Sequence, residues 1–365
     1  MRSHVEWLES LSPWPEEFGL GRMRALLAEL GEPQRSFPAI HVVGTNGKST
    51  ATRRAAAFLL REGLSAGAYT SPHVSGWSER IQVDAKDAVV ERALERVRAP
   101  AERLRATQFE VLTAAALAEF AAERVDVAVV EAGIGGRLDA TNVLDASVVA
   151  LTNVAFDHTD VLGETREEIA AEKLAVVRPG ATVVLGEPDW EPLARAREAG
   201  EVVFTDDVGR AAAEAFLGRA LDGEVEIALP GRFDVVGEDI FAGAHNAAGM
   251  KWLWRRLPRR DYVIVASILA DKDAEAMLSL LRGAGRVFVA TASDNARALD
   301  ADELARLAAP FFDHVEAVAE PERALARARE LAKGESPVLV TGSLYLLADL
   351  AVRLERIPWE SSANG

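Results

Sequence analysis

The run His41-Val42-Val43-Gly44-Thr45-Asn46-Gly47-Lys48-Ser49-Thr50 constrains this chain more than any other segment. An apolar strand enters a loop bracketed by two glycines and leaves through Lys-Ser-Thr into a helix. In such a loop Gly44 and Gly47 let the backbone turn its N–H groups inward. Lys48 adds a mobile positive charge, and Ser49 or Thr50 can reach a metal ion. The spacing is shorter than GxxxxGK[ST]. Even so, this order of strand, glycine loop and helix predicts a phosphate cradle at the end of a parallel strand, a placement that only an α/β sheet supplies.

The rest of the chain repeats that grammar. Short Val- and Ile-rich runs alternate with Ala/Leu/Arg/Glu segments of helical period, the pattern of parallel sheets covered by helices. Strands are predicted at 39–43, 66–70, 125–131, 147–153, 182–185 and 202–205, with helices at 49–61, 90–104, 109–123, 166–176 and 191–198. A second set of strands is expected at 262–267, 286–290, 315–318 and 337–340. The 365 residues suit two cores. The turn at Asp222-Gly223 then separates an N-terminal P-loop-containing parallel-sheet ATPase domain, 1–223, from a smaller C-terminal Rossmann-like α/β domain, 224–365.

Composition excludes several classes. There is no cysteine, which removes disulfides, thiolate metal sites and cysteine nucleophiles. A formal charge of −16 opposes broad contact with nucleic acid or an anionic membrane. Glu6 and Glu9 interrupt the apolar core that a signal peptide needs, and no run reaches the ~18 apolar residues of a membrane span. A cytoplasmic monomer acting on small molecules is expected.

In an open parallel sheet, ligands bind beyond the carboxyl ends of the strands. Three segments fall there: Thr70-Ser71-Pro72-His73, Glu131-Ala132-Gly133-Ile134-Gly135-Gly136-Arg137, and Asp157-His158-Thr159-Asp160. Glu131 closes an apolar run, where a carboxylate is costly unless it meets a cation. Magnesium held by Ser71, Glu131 and His158 answers that need, and an ion pair with Arg137 is the plainer alternative. Lys173, inside a helix, reads from spacing alone as a solvated charge. His4, His41, His73 and His314 receive no role. In the second domain Arg232, in Leu229-Pro230-Gly231-Arg232-Phe233, offers charge to a transferred phosphoryl group, and Gly243-Ala244-His245-Asn246 puts a polar pair at a helix entrance. Asp271-Lys272-Asp273 and Thr341-Gly342-Ser343 fit helix capping equally well.

Taken in order, GTNGKST, YTSPHVSGWSERI, TQFEVLTAAAL, VVEAGIGGRLDATNVL, LTNVAFDHTDVLG, LPGRF, GAHN, LADKD and TGSLYLL resemble the folylpolyglutamate synthase/dihydrofolate synthase family of the Mur ligase superfamily. The resemblance implies ATP-dependent addition of L-glutamate to dihydropteroate or reduced folate through an acyl phosphate. It further implies that Gly44, Thr45, Asn46, Gly47, Lys48, Ser49 and Thr50 bind ATP, with Arg232 and Asn246 contributing from the second domain. Ser71, Glu131 and His158 would hold magnesium. Lys173 would become carbamylated to bind a second ion, and His245 would lie beside the reacting groups. Three features depart from the family pattern. Ser49 replaces the glycine after the loop lysine, Ala242 replaces the carboxylate of DGAHNP, and the stretches 206–223 and 84–90 are short. Two alternatives follow: a related ligase with another acid substrate, or a nucleotide-binding relative without ligase activity.

Overall fold

A computed structural model describes residues 3–13, 15, 18–227 and 229–353. The chain divides into two compact units, Met1–Pro72 with Trp77–Ile227, and His73–Gly76 with Ala228–Gly365. The short segment 73–76 therefore belongs to the second unit although its neighbours in sequence belong to the first.

The first unit holds eight strands: β1 (Ala39–Val43), β2 (Ala66–Tyr69), β3 (Ile81–Val83), β4 (Lys86–Asp87), β5 (Val127–Glu131), β6 (Val148–Leu151), β7 (Thr182–Leu185) and β8 (Val202–Phe204). They form one sheet in the order β4-β3-β2-β5-β1-β6-β7-β8. All neighbours are parallel except at the β2-β3-β4 edge. Alternate residues of the same strand feed opposite cores, as a period of two requires. Ala39 and Val43 join one cluster with Val130, Val149 and Val183, while Ile40 and Val42 join another with Val129, Ala150 and Val184. β1 lies between β5 and β6, with Val42 opposite Glu131 and Val43 opposite Leu151. The ends of these three strands thus converge at the glycine loop.

The second unit holds β9 (Asp234–Val236), β10 (Asp239–Phe241), β11 (Val263–Ala266), β12 (Val287–Ala290), β13 (His314–Ala317) and β14 (Val338–Thr341). Their order is β13-β12-β11-β14-β10-β9, parallel apart from the β9-β10 hairpin. Phe288 and Ile264 line one face, Val265 and Val340 the other.

Two α/β units with mostly parallel sheets match the expected fold class, and most predicted elements appear within a residue or two. Two hairpins and one helix do not follow from periodicity. β3 and β4 are joined by Asp84 and Ala85, both at positive φ, 52° and 60°, a two-residue turn whose twist suits a tight hairpin. The stretch 206–223 carries a helix, Val208–Leu217, capped by Asp207, whose side chain accepts from the Arg210 N–H. Among the described residues no helix is long and apolar enough to cross a membrane.

Candidate active site

The site of the first unit is built outward from β1. Gly44 has φ 147°, and a Cβ there would fall 1.9 Å from Thr152 Oγ1, so only glycine lets the loop pass the end of β6. Gly47, at φ 80°, begins the helix Lys48–Arg61 and supplies no side-chain cap to its first turn. A Cβ on Gly47 would meet nothing within 4 Å. This is the open side of a cradle whose helix dipole favours an anion.

The loop is held from behind by the residues after β6. The Thr45 N–H donates to the Asn153 carbonyl at 2.9 Å. The Asn46 N–H donates to Asn153 Oδ1 at 3.0 Å, and Asn153 Nδ2 returns a bond to the Asn46 carbonyl at 2.9 Å. Thr45 Oγ1 accepts from the Ala155 N–H at 3.0 Å, and Lys48 Nζ donates to the Thr45 carbonyl at 3.3 Å. Asn153 was not singled out from sequence. Its position two residues past the end of β6, within the segment that precedes Asp157, is the signal the sequence offers.

Glu131 is buried and ends β5 beside the loop. Its Oε1 accepts from Ser49 Oγ at 3.2 Å and its Oε2 from the Ser71 N–H at 3.1 Å. The structure therefore brings Ser49, Ser71 and Glu131 together. Arg137 turns away and pairs with Glu172 at 2.9 Å, which removes the plainer pairing as the account of Glu131.

Lys173 overturns its local reading as a solvated charge. It is 3 % exposed, and its Nζ donates to the Gly44 carbonyl at 2.8 Å. Burial, and then the neighbouring charge of Lys48, push its pKa down to about 7, against the opposing pull of Asp157, Asp139 and Glu172. The helix Arg166–Lys173 is seated by the glycine-rich loop after β5. A Cβ on Gly136 would sit 2.5 Å from the Lys173 carbonyl oxygen, and the Arg137 N–H donates to the Glu172 carbonyl at 3.1 Å. The spacing argument missed this because it sees neighbours along the helix and not the loop packed against it.

His158 is half-buried at φ 50°, leading the short helix Thr159–Leu162, with Nε2 3.9 Å from Asp157 Oδ1. His41, by contrast, is a core residue. Burial, helped by the charge of Arg178, lowers its pKa to about 3, and its Nε2 meets Thr141 Oγ1 at 2.8 Å. Thr141 in turn donates to Asp139, whose carboxyl burial pushes upward.

In the second unit, Arg232 follows Gly231 in a turn at φ 74°. The Gly231 carbonyl accepts from the Gly243 N–H at 2.7 Å, and His245 Nδ1 meets the Gly243 carbonyl at 2.8 Å. A carbonyl only accepts, so Nδ1 carries a proton. Arg232 and His245 are thus tied to one backbone junction. A Cβ on Gly243 would fall 2.1 Å from Leu344 Cδ2, and one on Gly231 would fall 2.8 Å from Val74 Cγ2. Asn246 caps the helix Ala247–Arg256, its Oδ1 accepting from the Gly249 N–H at 2.8 Å. Asp273 caps the helix Ala274–Leu281, and buried Ser343 accepts from the Tyr345 N–H at 3.1 Å.

A glycine cradle on an inner strand of a mostly parallel sheet, followed by a second mostly parallel α/β unit, is the arrangement onto which two Mur ligase family models fall. Residues 42–185 match the Mur ligase middle domain, and 231–344 match the Mur ligase, glutamate ligase domain. The dihydrofolate synthase/folylpolyglutamate synthase of Escherichia coli is 31 % identical over 95 % of this chain and 94 % of its own length. A probable bifunctional folylpolyglutamate synthase/dihydropteroate synthase of Halobacterium salinarum is 32 % identical over 91 % of this chain, which spans only 49 % of that protein. The Mycobacterium tuberculosis folylpolyglutamate synthase complexed with ADP superposes with a TM-score of 0.90 at 28 % identity, covering 97 % of this chain and 98 % of that one. A bifunctional folylpolyglutamate synthase/dihydrofolate synthase of Yersinia pestis, complexed with AMPPNP and Mn ion, gives 0.84 at 28 % identity over 98 % and 99 %. The chain belongs to the folylpolyglutamate synthase/dihydrofolate synthase family.

Proposed function

We propose that this chain is an ATP-dependent ligase joining L-glutamate to the carboxylate of dihydropteroate or of a reduced folate. The observation that carries the reading is the cradle at the end of β1. It is braced by Asn153 and stands beside the buried Glu131 carboxylate and the buried amine of Lys173. ADP in the mycobacterial relative and AMPPNP with manganese in the Yersinia relative support a nucleotide and a divalent cation as its occupants.

A carboxylate and an amine do not condense in water, so ATP supplies a leaving group. An oxygen of the acceptor carboxylate takes the γ-phosphoryl group and ADP departs. The glutamate nitrogen then attacks the acyl carbon, the carbon–oxygen bond to phosphate breaks, and the nitrogen loses a proton as the amide forms. In this reading Gly44, Thr45, Asn46, Gly47, Ser49 and Thr50 cradle the triphosphate. Lys48 balances charge on the transferred group. Arg232 and Asn246 serve the nucleotide from the second unit, and His245 serves the reacting groups.

Magnesium fits the residues present. Glu131 offers a carboxylate already oriented by two donors, Ser71 a hydroxyl and His158 an imidazole. Among the described residues no group of three or more His, Asp or Glu could hold a metal. Magnesium commonly keeps waters and takes phosphate oxygens beside one or two carboxylates. Held there, magnesium would supply charge neutralisation at the phosphoryl oxygens. Lys173 fits a carbamate. An amine whose pKa lies near 7 is substantially neutral at neutral pH, its nitrogen can bond to the carbon of CO2 with loss of a proton, and the resulting anion can hold a second ion.

The test is to incubate the protein with ATP, magnesium and L-glutamate plus dihydropteroate or tetrahydrofolate, and to weigh the acceptors by mass spectrometry. Gain of a glutamyl residue is expected. Absence of gain on both acceptors, with ATP still bound, overturns the folate reading.

A further inference from the structure

The segment that braces the cradle is itself held from behind. Asn153 takes the Thr45 and Asn46 N–H groups and returns a bond to the Asn46 carbonyl, and the Ala155 N–H donates to Thr45 Oγ1. Between them stands Val154, outside any strand or helix, where no ladder satisfies the backbone. Side chains take both of its backbone groups. The Val154 N–H donates to Glu187 Oε2 at 3.0 Å, and its carbonyl accepts from Arg166 Nε at 3.0 Å. Arg166 Nη2 donates to the same Glu187 oxygen at 3.0 Å, which closes a ring of three residues. Buried Trp190 completes it. Its Nε1 donates to Glu187 Oε2 at 2.8 Å, and the Arg166 guanidinium lies over its ring, 5.1 Å from the centroid.

Arg166 and Glu187 are 39 % and 29 % exposed, and an ion pair of that exposure is ordinarily worth little to stability. Its placement gives it another use. Glu187 follows β7, and Gly186 before it passes so close to the cradle's brace that a Cβ there would fall 2.1 Å from the Thr152 carbonyl oxygen. Arg166 opens the helix Arg166–Lys173, whose last residue donates to the Gly44 carbonyl. The clamp thus grips the brace of the loop and the helix that carries the buried amine at one point, Val154.

We infer that Glu187 and Arg166 are positioning residues of the cradle, fixing Val154 so that Asn153 and Ala155 hold the loop in its nucleotide-binding form. This rests on the cradle being the nucleotide site, as proposed above. Glutamine at position 187 keeps an oxygen for the Val154 N–H and loses only the charge, whereas alanine loses both.

AMPPNP titrated into the full chain with magnesium and followed by calorimetry reads the effect without turnover. Glu187→Ala and Arg166→Ala are each expected to weaken AMPPNP binding about tenfold, within the range such supporting contacts reach, with Glu187→Gln regaining most of the loss. The thermal midpoint of the nucleotide-free protein reports whether the fold survives, and Arg166→Ala, at the more exposed position, gives a reading independent of Glu187→Ala. Parent affinity in both folded alanine variants overturns the inference. So does a loss that follows a fallen midpoint and is equal in Glu187→Gln. Lys48→Ala separates the two readings. If it binds AMPPNP as the parent does, the assignment of the cradle fails and the clamp with it; if it loses binding while the two clamp variants keep it, only the clamp fails.

Discussion

The carboxyl edge of the first sheet and the Gly231–Asn246 junction of the second unit both gather residues that the family resemblance marks, but they hold them in different ways. In the first, several marked groups are fixed by distant ones. Asn153 braces the loop from 107 positions away, Glu131 is held by Ser49 and Ser71, and Lys173 reaches the Gly44 carbonyl. In the second, two of the marked side chains bond close by in sequence. Asn246 caps its own helix and His245 bonds the carbonyl two residues back. Local bonds are what any helix entrance needs. A buried carboxylate and a buried amine at one strand end are costly to folding and call for a functional reason.

The sharpest way to break the comparison is Glu131→Ala. We expect ligation to fall by about a hundred- to a thousandfold, the scale on which one electrostatic group at a reacting centre is felt. Steady-state rates with the acceptor of the parent enzyme check this. Activity within threefold of the parent would reduce Glu131 to a structural group.

Lys173 gives a signature in pH. Its folded pKa, about 7, lies below the ordinary 10.5, so between those values the unfolded chain binds the extra proton. Stability attributable to this group therefore rises with pH across that window and is least below about 7, where burying the charged form costs most. Urea midpoints from pH 7 to 10 should climb less steeply in Lys173→Met than in the parent. Equal slopes would contradict the burial of a neutral amine.

Much of this architecture is legible in the sequence. The Val- and Ile-rich runs locate the parallel strands, and the glycine bracket locates the cradle, because both signals are local. Glu131 stands out for the same reason: it is a charge at the end of an apolar run. Lys173 does not, since along its own helix it resembles any solvated lysine. The loop at Gly136, folded back from β5, and the cradle loop at Gly44 enclose it. Asn153 is likewise hidden, because its bonds to the loop depend on where β6 lies relative to β1. The β3-β4 hairpin escaped because its strands are too short to show alternation, and its turn uses Asp84 and Ala85 rather than glycine.

Gly136→Ala tests that enclosure. A methyl group 2.5 Å from the Lys173 carbonyl oxygen meets backbone that cannot swing aside. Stability should fall by about 1–3 kcal/mol, seen as a lower Tm, with kcat reduced because the lysine moves. An unchanged Tm would show that the helix is free to shift.

The smallest effect sharpens the other side. Asn246→Ala should cost about 1 kcal/mol through the lost cap, and Asn246→Asp should recover it, since the two residues cap alike. If the amide serves ATP, Asn246→Asp recovers stability while the KM for ATP stays raised. Recovery of both would leave Asn246 a cap alone.

The central claim is that the acceptor carboxylate is phosphorylated before glutamate attacks. Acceptor labelled with 18O in its carboxylate, turned over with ATP and L-glutamate, tests it directly. One labelled oxygen should appear in the released phosphate for each amide formed. Glutamylated product accompanied by unlabelled phosphate would contradict the acyl-phosphate route.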